Sequence, residues 1–505
     1  MIQNLPFLPV LLPMLAGVLL LMPPFGSKKV SRRISSVVLS ITSFIASVFL
    51  LLVVQAEGTQ VYAIGDWSAP FGIVLVADPL STLLVCLTTL LGVVCALYAC
   101  AGDDEKGSFF HPLIHFLILG VNGAFLTGDA FNLFVFFEVL LIASYALLMH
   151  GGDKKNTQAA LHYVILNLVG SAVFLIALGI LYGVLGTLNM ADMAQKVAVL
   201  QGDDVYLAKI GGLLLLVVFA LKGALLPLHL WLPNTYATAM PIVAALFAIM
   251  TKVGVYSMMR VYTLVFGDEA GELSHMAQSW LWWLAIATVA MGAVGVLASQ
   301  DLRKLVANLV IVSVGALVAL VAVQTVEASS AAIYYLVHST LVTAALFILA
   351  DLIGRQRGKV ADRITAGPAV HQPRLLGICF LIAAIAVIGM PPLSGFIGKV
   401  WMLKATLNTE YSIVFWLFYL LASLAILFSV AKAGSTVFWH HQDKITENLK
   451  QERVHPVQLI SLIILISAAP LMTIFAGPLS EYTIGAATQL HDFNHNIKII
   501  LTGGQ

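Results

Sequence analysis

Residues 213–233 read Leu-Leu-Leu-Leu-Val-Val-Phe-Ala-Leu-Lys-Gly-Ala-Leu-Leu-Pro-Leu-His-Leu-Trp-Leu-Pro. The first nine positions are apolar on every face, which fits neither a half-buried strand nor the single apolar stripe of a surface helix. Lys222 follows at once, five residues ahead of Pro227. A lysine inside such a run is unfavourable by about 2.5–3.5 kcal/mol at the centre of a membrane helix, so it needs a wet cavity or a partner.

Outward from this stretch the pattern repeats. Apolar runs of roughly 18–25 residues recur along all 505 residues, each long enough for a helix to cross a hydrocarbon core of about 30 Å. Charged residues make up 10% of the chain and hydrophobic ones 60%, whereas soluble domains carry about a quarter charged side chains. A water-soluble fold is excluded, and so is a barrel, whose segments of about ten residues would alternate apolar and polar. The net charge of +1 and the lack of a basic stripe interleaved with aromatics give no sign of a nucleic-acid partner.

Gly, Pro and charge clusters divide the chain into about fourteen predicted transmembrane helices, with boundaries good to about four residues. They lie near 6–24, 34–55, 78–100, 111–128, 130–150, 160–185, 208–229, 239–266, 278–300, 303–325, 331–354, 374–400, 411–439 and 456–478. The fold class is therefore all-α and polytopic. Met1 to Pro9 lacks the basic region of a cleavable signal peptide, so the first segment is expected to stay as a helix. Cys86, Cys95, Cys100 and Cys379 show no Cys-x-x-Cys spacing, which argues against metal, iron–sulfur and disulfide roles, and no cofactor is expected.

Loops after odd-numbered spans hold Lys28, Lys29, Arg32, Arg33, Lys106, Lys154, Lys155, Arg303, Lys304, Arg355, Arg357, Lys359, Arg363, Arg374, Lys432, Lys444, Lys450 and Arg453. The opposite loops and tail hold Lys196, Lys209, Lys404 and Lys498 beside Glu57, Asp66, Asp203, Asp204, Asp268, Glu269 and Glu327. Basic loops stay cytoplasmic, which puts both termini on the outer face of a multi-pass cell membrane protein. A miscounted span would scatter the basic residues over both sides.

Lys222, Lys252, Arg260 and Lys399 remain as cations within spans. Lys222 precedes Pro227, and Lys399 follows Pro391 and Pro392 five spans later. Paired Gly/Pro interruptions in corresponding halves are the sign of inverted repeats with broken helices. The repeats are read as spans 4–8 and 9–13, with spans 7 and 12 broken. The predicted organisation is 1–110 (helices 1–3), 111–270 (first repeat), 271–440 (second repeat) and 441–505 (helix 14 and tail).

Glu138 lies among Phe136, Phe137, Val139, Leu140 and Leu141 and requires a cation from another helix, for which Lys222 is the natural candidate. A carboxylate favours the ammonium while burial opposes it, so a small change of balance lets the lysine release a proton. The alternative is a static ion pair that fixes packing. Lys252 would pass protons between half-sites, and Lys399 would end the path; snorkelling at a helix end and ordinary proline kinks are the plainer readings of these lysines and breaks. His338, in Tyr334-Tyr335-Leu336-Val337-His338, suits a relay or a packing hydrogen bond. His229 would relay or cap the broken helix, and Arg260 would anchor at the outer interface.

Three stretches carry a resemblance: Phe131-Asn-Leu-Phe-Val-Phe-Phe-Glu138, Lys222-Gly-Ala-Leu-Leu-Pro-Leu-His-Leu-Trp-Leu-Pro233 and Gly389-Met-Pro-Pro-Leu-Ser-Gly-Phe-Ile-Gly-Lys399. With them the chain resembles, over nearly its whole length, the antiporter-like membrane subunits of respiratory complex I, membrane-bound hydrogenases and Mrp-type antiporters. Ser394-Gly-Phe-Ile-Gly-Lys399 and Leu349-Ala-Asp-Leu-Ile-Gly-Arg-Gln-Arg-Gly358 look like the D-type member of the Mrp set. The resemblance implies that Glu138 and Lys222 form the proton-handling pair, Lys252 the connecting lysine and Lys399 the terminal one. Relatives often carry a lysine at the position of Thr343, where this chain has an uncharged side chain.

The expected function is that of a proton-translocating subunit of a sodium, or other monovalent cation, antiporter powered by the proton-motive force. Its partners would be the other Mrp subunits, H+ and Na+, and membrane lipid, in a prokaryotic inner membrane. The alternatives are a proton-pumping subunit of a redox complex and a scaffold with vestigial charges. The topology is checked with an impermeant thiol reagent. A cysteine at Lys359 is expected to be labelled only from the cytoplasmic face and one at Glu269 only from the outer face; any reversal breaks the span assignment.

Overall fold

The computed structural model describes residues 2–107, 109–152, 154–440 and 453–502, so Lys444 and Lys450 lie outside the described residues. The chain is an all-α polytopic membrane protein with one small hairpin. Helix α1 (Leu8–Leu21) and α2 (Lys29–Glu57) come first. Strands β1 (Gln60–Ala63) and β2 (Val74–Ala77) then pair antiparallel, with Gln60 opposite Ala77. After them come α3 (Pro79–Ala99), α4 (Phe110–Leu126), α5 (Ala130–Met149), α6 (Lys154–Leu185), the short α7 (Met190–Ala198) and α8 (Asp203–Gly223). Beyond a break lie α9 (Trp231–Thr238), α10 (Pro241–Phe247), α11 (Met250–Leu264), α12 (Gln278–Ala298), α13 (Leu302–Val323) and α14 (Val326–Gln356). The chain closes with α15 (Pro373–Ile388), α16 (Ser394–Thr406), α17 (Ser412–Trp439), α18 (Pro456–Ile474), α19 (Ala476–His491) and α20 (Phe493–Thr502).

Among the described residues, 12 helical segments are long and apolar enough to cross a membrane. The two remaining predicted spans are shorter: α4 has 17 residues and α15 has 16. The expected tail after residue 478 is largely helical, as α19 and α20. Burial separates centre from rim. The apolar window of Pro241–Leu264 is 100% buried and that of Leu302–Val323 is 94%, while Lys29–Glu57, Asn156–Leu185 and Ser412–Trp439 reach only 33%. Thus α10, α11 and α13 form the core, and α2, α6 and α17 present their apolar faces outward, where lipid would solvate them.

The expected interruptions are present. Helix α8 ends at Ala224, held at φ 58°, and Pro227, which has no N–H to give, precedes the turn that leads to α9. Span 12 stops at Gly389, φ 80°, where a Cβ would come within 2.5 Å of the Lys399 side chain, and resumes at Ser394 after Pro391-Pro392. A third interruption, at Ala248 and Ile249 between α10 and α11, carries neither glycine nor proline and has no counterpart among the expected breaks. There the amides fall back on i→i−3 bonds of 3.3 Å to Ala245 and Leu246.

Backbone groups freed at the breaks find side chains. Leu226 N donates to Thr288 Oγ1 at 2.9 Å, and Trp231 Nε1 donates to the Leu221 carbonyl at 3.1 Å. In a bilayer interior no water would otherwise satisfy them. Arg260 is not an interface anchor: it is buried on α11 in an ion pair with Asp78, the residue that caps α3.

Helices α8 and α11 touch backbone to backbone: a Cβ on Gly254 would lie 2.6 Å from Gly223 N and 3.0 Å from Lys222 C. Gly254→Ala is expected to lower unfolding stability in detergent by about 1–3 kcal/mol, the usual effect of overpacking a close contact. An unchanged thermal transition would mean that the contact yields freely.

Candidate functional site

Glu138 sits half-buried on α5, where its carboxylate accepts a hydrogen bond from Ser171 Oγ of α6. Ser171 Oγ also lies 3.0 Å from the Asn167 carbonyl one turn earlier. On the same face, Asn167 Oδ1 accepts from Lys222 Nζ at 3.1 Å, while its amide nitrogen donates to the Tyr163 carbonyl at 2.8 Å. Lys222 Nζ lies 5.8 Å from the centre of the Phe137 ring, the neighbour of Glu138. Among the described residues no ion pair joins Glu138 to Lys222. The i, i+4 pair Asn167 and Ser171 stands between them, holding the amine with an amide oxygen and the carboxylate with a hydroxyl.

Lys252, fully buried in α11, donates to Ser313 Oγ of α13 at 3.0 Å, and Ser313 Oγ in turn donates to the Val310 carbonyl at 2.8 Å. The Gly223–Gly254 contact brings the helices bearing Lys222 and Lys252 together, and the Cβ that Gly223 lacks would lie 3.9 Å from Val314, next to Ser313. Lys399 lies in the second turn of α16 and reaches back across the break. Its Nζ donates to the Ile388 carbonyl at 2.7 Å and to Ser423 Oγ at 2.8 Å, and sits 5.5 Å from the Tyr419 ring centre. His338 of α14 bonds Ser394 Oγ through Nδ1 at 2.8 Å. One side of the span-12 break is thus tied to a lysine and the other to a histidine. His229 is buried in the turn after Pro227, and its Nδ1 has no hydrogen-bond partner among the described residues.

Asn167, Ser171, Ser313, Ser394 and Ser423 were missed as site residues by sequence reasoning. Their signal was faint: Asn167-x-x-x-Ser171 is the polar i, i+4 pair within the apolar run 160–185. Among the described residues, Lys222, Lys252 and Lys399 are held by neutral oxygens and are in no ion pair. Such a lysine loses its proton without stranding a carboxylate beside it, which is the chemical capacity of this row of buried amines. No group of three or more His, Cys, Asp or Glu side chains that could hold a metal ion occurs among the described residues.

Residues 127–477 match the family described as NADH:quinone oxidoreductase/Mrp antiporter, TM. The chain is 38% identical over 522 aligned positions to the D-type subunit of a probable K(+)/H(+) antiporter of Rhizobium meliloti, covering 97% of this chain and 96% of that one. It is 39% identical to the D-type subunit of a Na(+)/H(+) antiporter of Bacillus subtilis, covering 86% of this chain and 87% of the relative. Its fold is similar to that of a chain in the Mrp complex from Dietzia sp. DQ12-45-1b, with a TM-score of 0.88, 24% identity and 99% of each chain covered. The chain belongs to the NADH:quinone oxidoreductase/Mrp antiporter transmembrane family, among the D-type antiporter subunits.

Proposed function

We propose that this chain is the D-type, proton-translocating subunit of a multisubunit cation/proton antiporter in a bacterial inner membrane, powered by the proton-motive force. The observation that carries the reading is the set of three buried lysines. Lys222, Lys252 and Lys399 sit inside the helical bundle and are held by Asn167, Ser313 and Ser423. Intramembrane ionisable groups are unfavourable and mark ion paths, and three held by neutral partners are poorly explained as structural ion pairs.

In this reading Glu138 and Lys222 act through the Ser171–Asn167 bridge. A proton held at Lys222 is favoured when the Glu138 carboxylate is ionised and disfavoured when it is protonated, so charge at one group switches the other. Lys252, one close helix contact away, is the next acceptor, and Lys399 at the second break is the terminal one. His338 orients the start of α16 through Ser394, while His229, with its free ring nitrogen, relays at the first break. Water must complete the hops between lysines, as among the described residues no direct hydrogen bond links them.

Helix α4 and the broken α15–α16 segment complete fourteen crossings beside the 12 longer ones. The repeats are 111–270 and 271–440, each with its lysine beside a break, with 1–110 and 441–505 as flanking elements. Basic loops face the cytoplasm, both termini face outward, and sodium or another monovalent cation moves with the help of neighbouring subunits in a hetero-oligomer.

The test is the dequenching of a pH-sensitive dye on adding sodium to energised vesicles that hold the whole complex, with native protein compared with Lys222→Ala at matched assembly. Loss of antiport with intact assembly is the expected result. Unchanged antiport would remove Lys222 from the path and leave a scaffold role.

A further inference from the structure

A second buried chain of titratable groups lies outside the lysine row, among α2, α4 and the turn Asp103–Lys106. Asp104 is fully buried and accepts from Arg33 Nε at 2.9 Å and Arg33 Nη2 at 2.5 Å, with Arg32 at 3.7 Å. Burial opposes its ionisation, yet the hydrogen bonds from Arg33 and His111 outweigh burial and hold its carboxyl well below the usual carboxylate range. His111 Nε2 lies 3.3 Å from Asp104 Oδ2, and His111 Nδ1 lies 2.9 Å from Ser36 Oγ. Ser36 Oγ lies 3.3 Å from Nε2 of His115, one turn deeper on α4.

Asp104, His111, Ser36 and His115 are all 0% exposed, so the series runs from a basic loop into the helices without a gap. It ends on an orphan: among the described residues His115 Nδ1 is buried with no partner, and so is Ser40 Oγ, one turn beyond Ser36 on α2. Buried polar atoms left without partners are unfavourable, and a water bonding them is the usual remedy in a polar site. Ser43 and Ser47 continue the buried face of α2, each bonded to its own helix backbone. The other charged or titratable groups around this cluster are Arg32 and Arg33 on α2, Cys100 at the end of α3, Glu105 and Lys106 in the turn itself, and His150 at the loop end of α5.

We propose that Asp104, His111, Ser36 and His115 form a proton-loading site, separate from the lysine row, that opens to the face bearing the basic loops and ends at a water between His115 and Ser40. A proton that reaches His111 Nε2 from the basic-loop side makes the ring cationic, a charge that the ionised Asp104 carboxylate beside it favours. His111 then gives its Nδ1 proton to Ser36 Oγ while Ser36 gives its own to His115 Nε2. His111 ends neutral with its proton toward Asp104, and His115 ends as the imidazolium; one proton has moved and none is created or lost. The adjoining ion pair of Asp103 with Arg355, at 2.6 Å, ties the same turn to α14, the helix that carries His338. Occupancy of this site therefore bears on how antiport responds to pH on the basic-loop face.

Two readouts test this, and the first does not rest on the antiport reading. In vesicles holding the assembled complex, Ser40→Cys is treated with a small impermeant methanethiosulfonate from each face, with the parent protein as background. Labelling from the basic-loop face alone is expected; labelling no greater than the parent overturns the hydrated site. The second is antiport against pH on that face for His115→Gln and for Ser36→Ala, which keeps both rings. Each is expected to shift the profile by about one pH unit, the ordinary spread of histidine environments. Superimposed profiles overturn the proposal. A native complex without antiport would refute the function proposed above, and the labelling readout would still decide this site.

Discussion

A polypeptide inside a bilayer must satisfy every backbone N–H and C=O from within, and this constraint organises the molecule. Unbroken helices meet it by themselves. The breaks after Gly223 and Ile388 do not, and the residues that repair them are the residues of the candidate site or their neighbours. Lys399 caps the open carbonyl of Ile388, Trp231 caps that of Leu221, and Thr288 takes the amide of Leu226. Breaking a helix at mid-span and placing a polar side chain there are two halves of one structural solution.

The same logic explains why the central helices are packed as they are. Gly254 lets α11 approach the backbone of α8 beside Lys222, a distance that any side chain would forbid. Around that contact the partners of the amines are an amide and hydroxyls. Full ion pairs occur elsewhere: Arg260 with Asp78 at the start of α3, and Arg303 with Asp362 at the start of α13. Paired ions fix helix ends, whereas in the proposed function the amines with neutral partners are the groups that change state.

Much of this was legible in the sequence. Hydropathy located the 12 long apolar helices because bilayer thickness fixes helix length, and Pro227, Pro391 and Pro392 marked two breaks because proline cannot donate. Glu138, Lys222, Lys252 and Lys399 stood out as charges among apolar neighbours. The bridge between Glu138 and Lys222 did not, because Asn167 and Ser171 are short, neutral and on a third helix, and they barely disturb the hydropathy of their span. The partner of Arg260 was equally hidden, 182 residues away at Asp78. The turn at Ala248 and Ile249 carries no residue that favours a break, so tertiary packing alone sets it. Both the hairpin of β1 with β2 and the histidine chain below α2 depend on contacts between segments that no local pattern encodes.

The central claim is that Lys222 works by releasing a proton and not merely by being positive. Replacing it with arginine separates the two, since a guanidinium keeps the charge and the donors yet does not deprotonate in proteins. Sodium-driven proton movement is to be measured in vesicles carrying the Lys222→Arg complex, with assembly and thermal unfolding matched to the native protein. The account predicts loss of transport at every pH; native rates would show that a fixed positive charge suffices and would contradict it.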